Sequence, residues 1–256
     1  MLIVFDLDGV ITSEACYWET ARIGLREILG PQAVIPQDFI YWVKNHAINH
    51  NWDLAFVART AQPDFVAFRA QHEHLTGRDL LAACPGYRGA PWEECHVVCQ
   101  RIQDSLPAPE EVLLDARPVF EALRSRYTFA VATGRPKPEA LSPLQAAGIY
   151  GYFDATRIVT HDDVVEAERE HPGQSFGKPH PFILQKAMRE TPPTETVFVG
   201  DTLSDVGAAA RAQVRCIGVL TALPEGEYRE ARRAILAGAG CETILESILE
   251  LPGVLS

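Results

Sequence analysis

MLIVFDLDGVI, residues 1–11, is the stretch that decides the fold class of this chain. Four apolar residues, 2–5, lead directly into Asp6 and Asp8, and Gly9 follows them. Continuous apolar runs of this kind are typical of buried strands in a parallel sheet. Open α/β sheets carry their chemistry beyond the carboxyl ends of such strands. The stretch therefore predicts a functional site at the two aspartates.

Two later apolar runs also end in polar residues. FAVATGRP, residues 129–136, stops at Thr133 and Gly134, and VFVGDTLSD, residues 197–205, ends in a second acidic pair, Asp201 and Asp205. Between them, GKPHP places Lys178 among glycine and prolines. Strand and helix patterns alternate from about residue 112 to 220, which predicts a parallel sheet flanked by helices.

The segment from residue 13 to 106 has a different pattern. Strand-like alternation is largely missing, and helices are predicted over 14–29 with Ser13 as N-cap, and over 36–45, 51–60 and 63–75. We therefore expect an α/β core made of residues 1–12 and 107–256, interrupted by a helical domain of residues 13–106. Within the core, helices are expected over 112–127 and, as the last element, over 242–251.

Composition narrows the class of protein. The chain has 256 residues and a net charge of −11, which argues against nucleic acid as a partner, because such a partner requires a basic surface. No apolar segment approaches the roughly 20 residues of a membrane span, and no signal peptide is recognised. The six cysteines form no C-x-x-C pair and are expected to be reduced. These features favour a cytoplasmic protein that does not bind a membrane. They leave open whether the chain forms a homo-oligomer.

The four polar clusters together resemble the motifs of the haloacid dehalogenase superfamily of phosphohydrolases. DLDGV at residues 6–10 is similar to the first motif, Thr133 to the second, Lys178 to the third, and Asp201 with Asp205 to the fourth. Residues 144–164 further resemble the subfamily of phosphoglycolate phosphatase and β-phosphoglucomutase. The resemblance implies a Rossmann-like core with a helical cap inserted between the first two motifs.

The resemblance assigns the reaction chemistry to three groups. Asp6 is expected to attack phosphorus and form an aspartyl-phosphate. Asp8 is expected to protonate the leaving oxygen and then to deprotonate the attacking water. A Mg²⁺ ion is expected on Asp6, the main-chain carbonyl of Asp8, Asp201 and Asp205, with Asp205 either a direct ligand or acting through water and Lys178.

Other residues are expected to bind the substrate. Thr133, the Gly134 N–H and Lys178 are placed on the transferring phosphoryl group. Arg135 is equally able to contact substrate or to pair with a surface carboxylate. In the helical domain, His46, His50 and Arg88 lie in polar and aromatic loops that are candidates for specificity, although a structural role is the simpler explanation for any one of them.

These expectations favour a Mg²⁺-dependent phosphatase that hydrolyses a small phosphorylated metabolite. A phosphomutase of the β-phosphoglucomutase type is the first alternative, because it uses the same residues. A noncatalytic binding or regulatory protein on the same scaffold is the second, and the intact set of motif residues weighs against it.

Overall fold

The α/β part of the chain is built on six strands in this computed structural model, which describes residues 1–255. The strands are β1 (Leu2–Phe5), β2 (Thr128–Ala132), β3 (Phe153–Val159), β4 (Thr196–Gly200), β5 (Arg215–Val219) and β6 (Thr243–Leu245). They pair in the order β3-β2-β1-β4-β5-β6, and every described pair is parallel. This strand order is that of a Rossmann-like fold and confirms the predicted fold class.

Helices make up most of the remaining chain. In order they are α1 (Ala15–Leu29), α2 (Gln37–Asn45), α3 (Asn51–Ala61), α4 (Phe65–His72), α5 (Gly77–Ala83), α6 (Ala90–Ser105), α7 (Arg117–Leu123), α8 (Lys137–Ala146), α9 (His161–Glu170), α10 (Phe182–Met188), α11 (Leu203–Ala212), α12 (Glu227–Gly238) and α13 (Leu251–Leu255). The first six follow one another without an intervening strand. From α7 onward, helices separate successive strands as far as β6, with two helices, α9 and α10, between β3 and β4.

Strand β1 is buried on both faces, as its uninterrupted apolar sequence predicts. Ile3 and Phe5 pack into one apolar cluster, and Leu2 and Val4 pack into the other. Phe5 lies in edge contact with Phe120 of α7, with ring centroids 5.6 Å apart. Burying a side chain of this size stabilises the fold by about 1.5–3 kcal/mol. The strand that carries the two aspartates is therefore firmly held.

The chain divides into two compact units. One comprises Met1–Ser13 and the chain from Ala108 onward, and the other comprises Glu14–Pro107. The first contains the sheet, and the second contains α1 to α6. In the second unit, α1, α3 and α6 pack against one another, and Gly24 of α1 allows the approach of Cys99, because an added Cβ would lie 2.8 Å from its sulfur.

Three helix predictions differ from the structure. Helix α1 has Glu14 rather than Ser13 at its N-cap; Ser13 lies one residue outside the helix, where its N–H donates to the Glu111 carbonyl. Helix α7 begins only at Arg117, because Val112 forms a bridge with Thr12. The predicted helix over 242–251 is wrong: β6 lies there and pairs with β5, and the missed helix α12 precedes it.

All six cysteines are free thiols, as predicted. Among residues 1–255, no helix has both the length and the apolar character that a membrane crossing requires.

Candidate active site

The carboxyl ends of three neighbouring strands bring the motif residues together. Asp6 directly follows β1, Thr133 follows β2, and Asp201 follows β4. Because β2, β1 and β4 are adjacent and parallel, these three residues emerge at the same edge of the sheet. The position agrees with the rule that ligands bind beyond the carboxyl ends of such strands.

Lys178 lies between two of the carboxylates. Its Nζ is 2.7 Å from Asp6 Oδ2 and 2.6 Å from Asp205 Oδ1, and its side chain is only 10% exposed. The loop that carries it is tied to α11, because Arg211 Nη1 donates to the Pro179 carbonyl at 2.8 Å. Lys178 therefore holds a fixed position rather than a surface one, and it offsets the repulsion between Asp6 and Asp205.

Asp205 also caps helix α11. Its Oδ2 accepts hydrogen bonds from the Thr202 N–H at 3.0 Å and from the Thr202 hydroxyl at 2.7 Å. The Thr202 side chain accepts the Asp205 N–H in return, so the two residues form a capping box. Such a box satisfies N–H groups that a helix N-terminus leaves unpaired. Gly200 makes room for this arrangement, since an added Cβ would lie 2.4 Å from the Cβ of Asp205. The carboxylate is thus fully buried with both oxygens engaged.

Asp201 is positioned from two sides. Arg232 of α12 donates from Nη1 to the Asp201 carbonyl at 2.6 Å and lies 3.4 Å from its Oδ2. On the other side, Gly9 has a positive φ of 74°, and an added Cβ would lie 2.2 Å from Asp201 Oδ2. Only glycine fits here. The two motifs therefore pack in direct contact.

Asp8 pairs with Arg135. The guanidinium donates from Nε at 2.8 Å and from Nη2 at 2.5 Å to Asp8 Oδ1. Arg135 itself is 1% exposed, whereas the Asp8 side chain is 22% exposed. Arg135 therefore pairs with a carboxylate, but its partner is the motif residue Asp8 and not a surface group, as the sequence had suggested. Its role in binding substrate stays a prediction that these contacts do not support.

Thr133 and Gly134 continue the same edge. Thr133 is fully buried, its N–H donates to the Val159 carbonyl, and its hydroxyl oxygen accepts the Arg135 N–H at 3.2 Å. Gly134 is exposed and has open space around its Cα. A turn of this kind leaves room for an anionic group beside the Gly134 backbone.

The electrostatics of the site are governed by burial. Burial, only partly offset by Lys178, raises the pKa of Asp6 to about 7, and the Asp205 and Asp8 carboxylates contribute in the same direction. Burial alone would lower the pKa of Lys178, but Asp205 and Asp6 outweigh it and raise that pKa. Lys178 is therefore held as a cation, whereas the buried carboxyl group of Asp6 is costly to ionise.

A divalent cation fits this donor set. Oxygens of Asp6, Asp201 and Asp205 lie within 4.8 Å of one another, and all three residues are buried. Arg232 contacts the main-chain carbonyl and Oδ2 of Asp201. The other carboxylate oxygen, Oδ1, is a buried acceptor that receives no hydrogen bond. Hard carboxylate oxygens are the ligands that Mg²⁺ prefers. A bound cation would also favour the ionised form of Asp6.

The candidates in the helical unit make local contacts. His46 is 6% exposed, its Nδ1 donates to the Trp42 carbonyl at 2.7 Å, and its Nε2 lies 3.2 Å from the Glu73 carbonyl. His50 is exposed and stacks on Trp52. Arg88 is exposed beside the Tyr87 ring. Their substrate roles stay predictions, and for His46 these contacts favour the structural alternative that the sequence also offered.

Sequence reasoning missed Arg232. It lies in the run EYREARRAIL, residues 227–236, whose many charges are typical of a solvated helix, and yet its side chain is 3% exposed against Asp201. No motif marks it. Only the placement of α12 beside the end of β4 reveals its contact.

Comparisons with known proteins identify the family of this chain. The model of the haloacid dehalogenase-like hydrolase family matches residues 1–213. A protein named "Probable phosphatase IndB" from Dickeya dadantii (strain 3937) is 38% identical over 95 residues, which is 36% of this chain and 36% of that protein. The chain thus matches about a third of the length of this curated relative.

Solved structures share the fold. A predicted phosphoglycolate phosphatase from Haemophilus somnus 129PT is 18% identical, covers 100% of this chain and 97% of its own, and has a TM-score of 0.61. A haloacid dehalogenase-like hydrolase from Streptococcus pneumoniae is 15% identical, with 100% and 98% coverage and a TM-score of 0.62. A candidate β-phosphoglucomutase from Thermotoga maritima is 23% identical, with 100% and 98% coverage and a TM-score of 0.53. The chain belongs to the haloacid dehalogenase-like hydrolase family.

Proposed function

We propose that this hydrolase is a Mg²⁺-dependent phosphatase that cleaves a small phosphorylated metabolite through an aspartyl-phosphate on Asp6. The observation that carries the proposal is the buried cluster of Asp6, Lys178, Asp205 and Asp201, with Asp8 two residues after Asp6. Four carboxylates here face three cations, since Arg135 and Arg232 join Lys178.

The residues that would hold Mg²⁺ are Asp6, Asp201 and Asp205, together with the main-chain carbonyl of Asp8. When bound, the ion supplies positive charge that offsets the repulsion between a carboxylate nucleophile and an anionic phosphoryl group. Asp205 already accepts a hydrogen bond from Lys178 and caps α11. We therefore infer that its main contribution is to hold Lys178 and the start of the helix in place.

In the first half-reaction, a carboxylate oxygen of Asp6 attacks phosphorus while the bond from phosphorus to the ester oxygen breaks. Asp8 gives its proton to that leaving oxygen. Lys178, which contacts Asp6, supports the developing negative charge together with the Thr133 hydroxyl and the Gly134 N–H. The products are an alcohol and the phosphorylated Asp6.

In the second half-reaction, water attacks the phosphorus of the aspartyl-phosphate. Asp8, now a carboxylate, takes a proton from that water, and the bond from phosphorus to Asp6 breaks. Inorganic phosphate leaves, and Asp6 and Asp8 return to their starting forms. The two aspartates thus act as nucleophile and as proton carrier within one loop, residues 6–12.

The proposal extends to substrate and location. The helical unit, Glu14–Pro107, carries none of the motif residues, and we infer that it selects the leaving group, as the caps of the family do. The substrate is a small metabolite, the location is cytoplasmic, and neither nucleic acid nor a membrane is a partner.

A screen of phosphorylated metabolites with Mg²⁺ tests the proposal. We expect phosphate release from at least one metabolite, and acid-quenched protein should carry one phosphoryl group on Asp6 by mass spectrometry of its peptides. Asp115→Asn, which changes an exposed aspartate of the same unit, is the matched control and should behave as wild type. Phosphate release without labelling of Asp6 would contradict the proposed intermediate. Isomerisation of a sugar phosphate much faster than its hydrolysis would favour the mutase.

A further inference from the structure

Arg135 is an unusual residue to find fully buried at the end of a strand. It is the largest fully buried side chain of the described chain, and a charged group in such a position is costly unless it is paired and hydrogen-bonded. Its partner is Asp8, the proposed proton carrier. The cost of burial implies that the pairing has a function beyond filling space.

The guanidinium is fixed by main-chain groups as well. Nη2 donates to the Ser13 carbonyl at 2.7 Å, and Nη1 donates to the Glu139 carbonyl at 3.1 Å. These acceptors belong to two separate segments, the loop after β1 and helix α8. A planar group that is hydrogen-bonded along several of its edges has little freedom to rotate. Arg135 is therefore a rigid support for Asp8.

The contacts to Asp8 converge on one oxygen. Nε and Nη2 of Arg135 both donate to Oδ1, and the Thr12 hydroxyl lies 3.4 Å from the same atom. Within the part of the chain that the structure describes, no hydrogen bond to Oδ2 of Asp8 is found. The carboxylate is also the more exposed partner, at 22%. One oxygen is thus anchored, and the other stays open to a ligand.

We propose that Arg135 is a positioning residue that anchors Asp8 through Oδ1 and reserves Oδ2 for proton transfer to the leaving oxygen and from water. The proposal rests on the proposed phosphatase function. Proton transfer needs the donor within hydrogen-bond reach of the reacting oxygen, and small displacements of a positioned group slow a reaction strongly. Arg135 supplies that placement through its contacts with Asp8.

The test compares leaving groups in single-turnover formation of the aspartyl-phosphate. The substrates are the best alkyl phosphomonoester of the wild-type screen and p-nitrophenyl phosphate, whose leaving group needs no proton. Arg135→Gln should slow the alkyl ester about 100-fold and the aryl ester less than about threefold, because only the alkyl leaving group depends on Asp8. Arg135→Lys should restore part of the loss, since one charged donor remains.

Two controls separate positioning from stability. Arg157 of β3 also donates to main-chain carbonyls, of Ala187 and Met188, and pairs with an aspartate, Asp154. Arg157→Gln therefore removes a comparable set of arginine contacts away from Asp8. It should leave unchanged the ratio of the rates at which the alkyl and aryl esters form the aspartyl-phosphate. In the Asp8→Asn background, Arg135→Gln should cause no further loss with the alkyl ester, because the group it positions is already disabled.

Equal slowing of both substrates by Arg135→Gln, or an additional loss in the Asp8→Asn background, would overturn the proposal. If Arg135→Gln does not fold, the same ratio measured on Arg135→Lys decides. Wild-type labelling of Asp6 is measured in the same series. If the wild-type protein is not labelled on Asp6, the phosphatase proposal itself is refuted. If the wild-type protein is labelled and the Arg135 variants form the aspartyl-phosphate at the same rate, only the proposed role of Arg135 is refuted.

Discussion

The two units of this chain treat their polar residues in opposite ways. In the sheet unit, polar side chains that the sequence places after separate strands meet in one buried cluster around Lys178. In the helical unit, polar candidates such as His46 and His50 are engaged by their own neighbours. A parallel sheet imposes a common edge on distant residues, whereas a helical segment imposes only local periodicity. Motifs at strand ends are consequently the stronger guide to chemistry.

The strongest test of this contrast is to replace Asp6, the proposed nucleophile. Asp6→Asn should lower kcat by more than about 100-fold, a loss of at least about 3 kcal/mol in transition-state stabilisation, because an amide is a poor nucleophile. Steady-state kinetics on the best substrate of the screen measure it, with circular dichroism to show that the fold is kept. Residual activity above about 1% would refute the role of Asp6.

Metal removal is expected to have the next largest effect. Activity should be lost in excess EDTA after bound metal is removed, and should return with Mg²⁺. Ca²⁺ should restore it poorly, because its larger and more flexible coordination shell displaces the nucleophile. Full activity without metal would show that the three buried carboxylates serve another purpose.

Metal binding should also depend on pH, in a direction that the pKa of Asp6 fixes. The pKa of Asp6 is about 7 in the folded protein, against an ordinary value of 3.8. Between these two pH values, Asp6 carries a proton in the folded protein but not in the unfolded chain. The stability of the metal-free protein should therefore fall as pH rises through this window. Mg²⁺ requires the ionised carboxylate, so the rise in Tm on adding Mg²⁺ should be larger at pH 8 than at pH 5.5. Asp201→Asn should reduce that rise; an equal rise at both pH values would contradict the assignment.

Substitution of Asp8 should give a selective effect. Asp8→Ala should slow single-turnover aspartyl-phosphate formation from an alkyl ester much more than from an activated aryl phosphate, because only the alkoxide needs a proton. The later attack of water also uses Asp8, so steady-state rates do not isolate this step. Equal losses for both substrates would remove Asp8 from the role of general acid.

The smallest expected effects test the helical unit. His46→Ala should lower the free energy of unfolding by about 1–3 kcal/mol, because it leaves buried groups without their partner, and should leave KM unchanged. His50→Ala, at an exposed position, should change stability by less than about 0.5 kcal/mol. At least one of His50→Ala and Arg88→Ala should raise KM severalfold while sparing hydrolysis of acetyl phosphate. Unchanged KM in both would place specificity elsewhere.

The sequence predicts the sheet and its strand ends well, because the apolar runs before Asp6, Thr133 and Asp201 are unambiguous. It fails for the last strand: the residues of β6 form a strand only because β5 offers them an edge, which no local pattern records. It also fails for the buried arginines. Arg135 and Arg232 carry charged side chains, which a sequence pattern places on the surface. Arg135 is buried against Asp8, more than 120 positions earlier in the chain, and Arg232 is buried against Asp201, more than 30 positions earlier.

The two ends of the core that flank the helical unit are joined to each other. Ser13 donates to the Glu111 carbonyl, Thr12 forms a bridge with Val112, and the Leu113 N–H donates to the Ile11 carbonyl. The core therefore closes its own backbone at the point where the insert leaves and returns. Over evolutionary time, an insert attached in this way is exchangeable: its length and sequence can change while the catalytic loop keeps its hydrogen bonds. Under the proposed role of the helical unit in selecting the leaving group, grafting a helical insert from a relative between Ser13 and Ala108 should change the substrate specificity.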